Sequence, residues 1–198
     1  TPLHLAIQSN RTGIAHTLID SLLDTNNLQG LAATNNDEES PLHLAIQRKQ
    51  TGISNHLIDR LLETDNHQAL AARNYNDESP LDIAIQKGQT EIAYKLIDIF
   101  KEKNLPALTE KNQNGETPLQ AAIKHGKEDI GIALITALKE MSPKELTEKK
   151  YGGYTLMEYL DRPDTTDCPK IKEALQEAVP FVHEDYQHGF FATPASAE

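Results

Sequence analysis

The sequence predicts an all-α solenoid built from repeated pairs of helices. The phrase TPLHLAI at Thr1 returns as SPLHLAI at Ser40, SPLDIAI at Ser79 and TPLQAAI at Thr117, at intervals of 39, 39 and 38 residues. A fainter copy, YTLMEYL, begins at Tyr154. A constant period of about 20–50 residues is typical of a repeat array. Each unit of such an array buries its apolar face against its neighbours, so an aromatic content of only 5% does not argue against this fold.

Each predicted unit contains two antiparallel helices. In the second unit Ser40 is placed as an N-cap, and Pro41 follows at the first helical position. After a turn near Gln50, we expect Thr51 to cap the second helix. Apolar residues at three- and four-residue spacing predict that both helices share one buried side. In the second helices of the four units these residues are Ile14, Leu18, Ile19, Leu22 and Leu23; Ile53, Leu57, Ile58, Leu61 and Leu62; Ile92, Leu96, Ile97 and Phe100; and Ile130, Leu134, Ile135 and Leu138.

Polar turn sequences separate the units. NNDEES, NYNDES and NQNGET lead into the next Ser/Thr-Pro, and their Asn, Asp and Gly residues favour tight turns. We therefore predict projecting loops or hairpin tips here. An additional segment follows each second helix, and we expect its leucine to dock back onto the stack. These four leucines are Leu31, Leu70, Leu108 and Leu146.

This pattern resembles the ankyrin repeat, and the best match runs from Asn112 to Ile135. The resemblance covers residues 1–179, in units of about 1–34, 35–73, 74–111, 112–148 and 149–179. It implies an ankyrin-repeat solenoid of four clear repeats and a degenerate C-terminal repeat in which Thr155 replaces the proline. His4 and His43 match the structural histidine of the family, which bonds to the neighbouring turn. Glu38 and Asp77 stand where the family prefers glycine.

The length and the composition of the repeats depart from the family pattern. The period exceeds the usual ankyrin length of about 33 residues. Long, Asn-, Gln- and Lys-rich repeats resemble those of secreted effectors of intracellular bacteria such as Legionella, which implies action in a host cytosol. Residues 180–198 form a predicted C-terminal tail, which we expect to cover the last repeat, to lead into a further domain or to bind a partner. Its aromatic residues are Phe181, Tyr186, Phe190 and Phe191.

Composition limits the classes of function. The formal net charge of −11 disfavours binding to a phosphate backbone, so no nucleic-acid partner is expected. A single cysteine excludes an internal disulfide framework and favours a cytoplasmic location. The apolar runs are shorter than the roughly 20 residues that cross a bilayer, so no membrane partner is expected. We predict a monomer.

No catalytic, metal or cofactor site is predicted. Cys168 lies near a helix start, but Asp164 and Asp167 oppose formation of its thiolate. His183 and His188 are five residues apart, whereas the H-E-x-x-H zinc motif places its histidines four apart. The YGGY stretch lacks the Lys-Ser/Thr of a phosphate-binding loop. A small catalytic or regulatory unit built on Cys168 is the weakest of three hypotheses.

The resemblance implies a concave face that binds proteins, made of the loop tips and the exposed side of the first helices. Tyr75 and Tyr151 are the best-placed aromatic anchors, because tyrosine combines a large apolar ring with a hydrogen-bonding hydroxyl. The predicted partner-binding residues are Asp37, Glu39, Gln47, Arg48, Tyr75, Asn76, Glu78, Gln86, Lys87, Gln113, Asn114, Lys124, His125 and Tyr151.

Besides the unit built on Cys168, two functions from different classes remain open at this point. The first is a non-enzymatic protein-interaction module whose concave face binds a partner protein or peptide. The second is a targeting or substrate-recruiting segment of a larger enzyme whose catalytic domain lies outside this chain. The start at Thr1, inside a repeat, favours the expectation of a preceding segment.

Overall fold

A computed structural model describes residues 1–148, 153–162 and 165–179 of the chain. The fold is all-α, as predicted, and consists of paired helices with no β-strand in these ranges. The first helices of the pairs, called inner helices below, are α1 (Pro2–Gln8), α4 (Pro41–Gln47), α7 (Pro80–Lys87), α9 (Pro118–Lys124) and α12 (Leu156–Leu160). The outer helices are α2 (Thr12–Asp24), α5 (Thr51–Glu63), α8 (Thr90–Glu102), α10 (Glu128–Met141) and α13 (Pro169–Ala178).

Short turns of helix connect successive pairs. They are α3 (Leu28–Ala32), α6 (His67–Leu70), the 3₁₀ turn Pro106–Leu108 and α11 (Lys144–Thr147). Each carries one leucine with an exposed fraction of 3% or less, namely Leu31, Leu70, Leu108 and Leu146. The predicted docking of these leucines is therefore confirmed. None of the helices in the described ranges is long and apolar enough to cross a membrane.

The inner helices begin as the sequence predicts. The Ser40 hydroxyl accepts a hydrogen bond from the His43 backbone N–H, and Pro41 occupies the first helical position. The side chain three residues after the cap bonds back to the cap's own N–H, which satisfies a second free donor. The return bonds run from Ser40 N–H to His43 Nδ1 (3.2 Å), Ser79 N–H to Asp82 Oδ2 (2.9 Å) and Thr117 N–H to Gln120 Oε1 (2.9 Å).

The outer helices begin differently from the prediction. Thr51 is the first residue of α5, and the N-cap is Gln50, whose side chain does not cap the helix. Gln50 instead donates from Nε2 to the Ile7 carbonyl of the preceding pair at 2.9 Å. The prediction that Thr51 caps the helix was therefore wrong. The bond that holds Gln50 at the N-cap joins residues 43 positions apart, so the local sequence could not reveal it.

The apolar core runs along the stack as one continuous cluster. Leu42, Ile46 and Leu57 are completely buried between helix pairs. Fully burying a leucine or isoleucine side chain contributes roughly 1.5–3 kcal/mol. The buried side predicted from three- and four-residue spacing is therefore the face on which the pairs stack.

The first pair departs from the predicted pattern. Ile14 is 56% exposed, although its counterpart Ile53 is only 1% exposed. Likewise Leu5 is 64% exposed, whereas Leu44 in the same position is 5% exposed. Both side chains lie on the side of the first pair that no described residue covers. The prediction that Ile14 is buried was wrong, because burial there depends on a neighbouring pair.

Buried histidines join one pair to the loop of the next. His4 Nε2 lies 2.9 Å from the Glu39 carbonyl oxygen, and His43 Nε2 lies 3.1 Å from that of Glu78. A carbonyl only accepts, so Nε2 must carry the hydrogen, and Nδ1 is then free to accept from the N-cap. Burial lowers the pKa of both histidines below 6.5, which keeps them neutral. Their predicted structural role is confirmed.

Asp82 replaces this histidine in the third pair. Its Oδ2 accepts from Ser79, but its Oδ1 is buried without a hydrogen-bond partner among the described residues. Arg73 approaches only to 3.8 Å, and burial outweighs it in raising the pKa of Asp82 above 3.8. The third pair thus carries a buried acid where the first two pairs carry a histidine that donates to the next loop.

The last pair has a different register from the predicted one. Thr155 is the N-cap of α12, accepting from the Glu158 backbone N–H, and Leu156 occupies the first helical position. Thr155 therefore takes the place of the capping Ser/Thr, and the prediction that it replaces the proline was wrong. Glu158 completes the reciprocal cap with a 2.7 Å bond from Thr155 N–H.

Ile53→Ala tests the stacking contribution against its exposed counterpart. We expect Ile53→Ala to lower the free energy of unfolding by about 2–5 kcal/mol, because it leaves a cavity between two pairs. The same change at Ile14, which has the same helical position, should cost less than about 1 kcal/mol. Urea denaturation followed by circular dichroism measures both, and equal losses would contradict the stacking described above.

Asp82→His tests the absence, in the third pair, of the histidine bond that joins each of the first two pairs to the next loop. At pH 7 we expect a gain of about 1–2 kcal/mol in the free energy of unfolding, because histidine satisfies the cap and can donate to the next loop. Arg73 keeps Asp77 and Glu110 as partners. The reverse change in the second pair, His43→Asp, should be destabilising by about 1–3 kcal/mol.

The destabilisation caused by Asp82 should also depend on pH. A raised pKa in the folded state means that Asp82 destabilises the fold once it is ionised. The wild type should therefore lose stability relative to Asp82→Asn as pH rises from 3.8 through the raised pKa. A difference between the two proteins that does not change with pH would contradict the burial of this charge.

A candidate protein-binding surface

One asparagine organises each loop tip. The Asn35 side-chain oxygen accepts from the backbone N–H groups of Asp37 and Glu39, both at 2.9 Å. Asn74 and Asn112 form the same pairs of bonds in the next two loops, at 2.9–3.0 Å. The loop ends also meet, since Asn35 N–H donates to the Glu39 carbonyl at 3.0 Å. The tips are therefore ordered turns.

Each tip contains one residue with a left-handed backbone. Glu38 has φ 57°, Asp77 has φ 55° and Gly115 has φ 72° at equivalent positions. This conformation costs a non-glycine residue about 1–2 kcal/mol. It explains why the family prefers glycine there. In the second of these tips, Arg73 Nη1 donates to the Asp77 carbonyl at 2.6 Å and supports the turn.

A backbone bond between two tips fixes the position of Tyr75. The Tyr75 N–H donates to the Asp37 carbonyl of the preceding tip at 3.0 Å. The Tyr75 side chain is 75% exposed, the largest exposure among the large apolar side chains of the described residues. An aromatic ring is thus held on a rigid backbone and left uncovered.

The predicted tip residues fall into two groups. Asp37, Asn76, Gln113 and Asn114 are exposed. Glu39 and Glu78 are half-buried and bond to the loop asparagines, with Asn35 Nδ2 donating to Glu39 Oε2 at 3.0 Å and Asn74 Nδ2 to Glu78 Oε2 at 3.4 Å. The two glutamates therefore support the loop from within. Tyr151 lies outside the described residues.

The predicted helix residues line up at the C-terminal ends of the inner helices. Gln47, Arg48, Gln86, Lys124 and His125 are exposed, and Lys87 is half-buried. We call these six residues the helix-end row. Three of the six reach other parts of the stack: Arg48 Nη1 donates to the Gln8 carbonyl (3.2 Å), Gln86 to Glu78 (3.5 Å) and Lys124 to Glu116 (2.6 Å).

An open groove connects the first members of this row. It is lined by Asn10, Gln47, Arg48, Gln50 and Lys87. Asn10 and Gln50 were not predicted, and they meet through a 3.0 Å bond from Gln50 Nε2 to Asn10 Oδ1. The recurrence of glutamine at positions 50 and 89 was the available signal. Gln89 Nε2 makes the equivalent bond to the Ile46 carbonyl.

Cys168 has the properties of a core residue. It is completely buried and its thiol lies 3.8 Å from the Ile123 carbonyl. Burial, followed by Glu128 and Asp167, raises the pKa of this thiol above 9.0, which opposes thiolate formation. His183 and His188, compared above with a zinc motif, lie outside the described residues. Within the described ranges, no group of three or more His, Cys, Asp or Glu side chains is arranged to hold a metal ion.

Comparison with known proteins identifies the family. The family model described as "Ankyrin repeats (3 copies)" matches residues 3–107 and 53–145, so the chain belongs to the ankyrin-repeat family. Such repeats are generally protein–protein interaction modules and are typically non-catalytic.

One solved structure supports the fold. The chain is similar to an ankyrin repeat domain from Acinetobacter baumannii AYE, with 22% sequence identity and a TM-score of 0.63. The match covers 90% of this chain and 81% of the other. A search of curated proteins gave no match.

Proposed function

We propose that this chain is a non-enzymatic interaction module that binds a protein or peptide across the loop tips and the helix-end row. The observation that carries the proposal is Tyr75, an exposed aromatic ring on a loop fixed by backbone and asparagine bonds. Tyrosine is enriched among the residues that dominate binding energy. A rigid anchor also loses little conformational entropy on binding.

The charges on the two parts of the surface differ in sign. The tips carry exposed Asp37, Glu38 and Asp77, whereas the groove below them carries Arg48 and Lys87. A partner that places cationic groups at the tips and anionic groups in the groove would be complementary. Such complementarity mainly favours specificity and fast association.

The finer hypotheses concern cellular context. The resemblance of the repeats to those of secreted bacterial effectors favours a host protein as the partner, and the working compartment would then be the host cytosol. If the chain instead recruits substrates for a larger enzyme, the same surface would bind that enzyme's substrate. Both hypotheses depend on binding at the tips and the helix-end row, so one experiment tests their common basis.

The test combines three changes on this surface. We expect the Tyr75→Ala, Arg48→Glu, Lys87→Glu variant to capture its partner at least about tenfold more weakly than the wild type. Quantitative pull-down from lysate of cultured animal cells, followed by mass spectrometry, measures the loss. The melting temperature should fall little, because these side chains lie outside the core.

The control places the same kinds of change on the opposite side. Tyr94→Ala, Lys139→Glu and Lys144→Glu remove one tyrosine and reverse two charges on exposed residues of α8, α10 and α11. This variant should capture the same proteins as the wild type. Retention by the surface variant, or an equal loss in both variants, would contradict the proposed surface.

A further inference from the structure

Two histidines meet between the first two outer helices. His16 of α2 and His56 of α5 approach with their Nδ1 atoms 2.6 Å apart and their ring centroids 4.8 Å apart. The distance between the two Nδ1 atoms is shorter than the distance between the ring centroids. The difference is about twice the distance from the centre of an imidazole ring to one of its own nitrogens, so the two centroids and the two Nδ1 atoms lie nearly on one line. The rings therefore meet edge to edge, with the two Nδ1 atoms pointing at each other.

Asp20 fixes the tautomer of His56. Its Oδ1 lies 2.9 Å from His56 Nε2, closer than Arg60 Nε at 3.2 Å. Because a carboxylate only accepts, we assign the hydrogen of the ring to Nε2. With this tautomer the His56 ring presents a lone pair at Nδ1 toward His16. A carboxylate that orients a histidine through its far nitrogen is the arrangement that supports histidine ligands of metal ions.

The next interface along the stack shows what this position favours. Lys95 of α8 occupies the position of His56, with Asn55 in place of His16 and Asp59 in place of Asp20. Its Nζ lies 2.7 Å from Asp59 Oδ1 and 3.5 Å from Asn55 Oδ1. The lysine ammonium thus occupies the equivalent position at the next interface, whereas the first interface has an imidazole there, with Arg60 beside it.

We propose that His16 and His56 form a binding site for a divalent transition-metal ion of the Zn²⁺ class, oriented by Asp20. Imidazole nitrogen is a preferred ligand of such ions. The ion would bridge the two Nδ1 atoms, and water molecules would complete its coordination. Crosslinking α2 to α5 in this way would stabilise the first helix pair, whose other side is covered by no described residue.

Binding requires both rings to rotate. Zinc–nitrogen distances are about 2.0–2.1 Å, so tetrahedral coordination separates two nitrogens by about 3.3 Å. Because the two Nδ1 atoms point at each other at 2.6 Å, each ring must turn by about 35° for both lone pairs to meet at the ion. The hydrogen shared between the Nδ1 atoms leaves His16 Nδ1 and moves to the other nitrogen of that ring or to water.

The surrounding charges permit a cation here. Asp20 and Glu63 are acidic, and Arg60 is the cation beside them. Arg60 Nη1 is held by Glu63 at 2.6 Å, and its Nε lies 3.2 Å from His56 Nε2 and 3.5 Å from Asp20 Oδ1. The arginine charge is therefore shared between two carboxylates. His56 is mostly buried, whereas Asp20 is half exposed, so water has access to the site.

The test measures Zn²⁺ binding to the full 198-residue chain prepared without a histidine tag. We expect saturating ZnCl₂ to raise the melting temperature by roughly 3–8 °C, and EDTA to reverse the rise. Isothermal titration calorimetry should give one ion per chain at this site. ¹⁵N NMR of the histidine rings should show the change at both Nδ1 atoms.

Two variants assign the response to these residues. The His16→Asn, His56→Lys variant copies the Asn55, Lys95 arrangement of the next interface, so it should fold and lose the Zn²⁺ response. The His183→Gln, His188→Gln variant removes the other histidine pair considered from the sequence and should keep it. No Zn²⁺ response in the wild type, or a response retained by the first variant, would overturn the proposal.

Discussion

The whole structure depends on one constraint: a helix pair cannot bury its own apolar side. Ile53 is buried only because the first pair lies against it, and Ile14, at the same helical position, is exposed where no described residue covers it. Stability in such an array comes from contacts between neighbours. The short α3, α6 and α11 turns serve the same end, because each delivers a buried leucine to the stack.

Polar bonds between neighbours follow from the same constraint. His43 reaches the next loop at Glu78, Gln50 reaches back to Ile7, and the Tyr75 N–H reaches back to Asp37. These bonds are made by backbone groups and by buried side chains. The outward-facing side chains of the tips and helix ends are therefore available for other contacts. A rigid, regularly spaced polar surface with one exposed tyrosine is the physical basis for assigning a binding role.

The features set by local sequence were predictable. The capped start of α4 at Ser40 and Pro41 follows from nearest-neighbour chemistry, and the equal spacing of Leu70 and its counterparts identified the docked leucines. Features set by long-range contacts were not. The bond from the Gln50 side chain to the Ile7 carbonyl joins residues 43 apart, and the His16–His56 contact joins residues 40 apart. The internal role of Glu39 likewise depends on how the loop closes around Asn35.

The most direct test of this account is amide hydrogen exchange, resolved by helix with mass spectrometry. If burial by neighbours determines stability, the amides of α4, α5, α7 and α8 should exchange slowest. Those of α1 and α2, which are packed by described residues on one side only, should exchange at least about tenfold faster in this 198-residue chain. Equal protection of the first pair and the central pairs would contradict the account, because it would mean that each pair is stable without its neighbours.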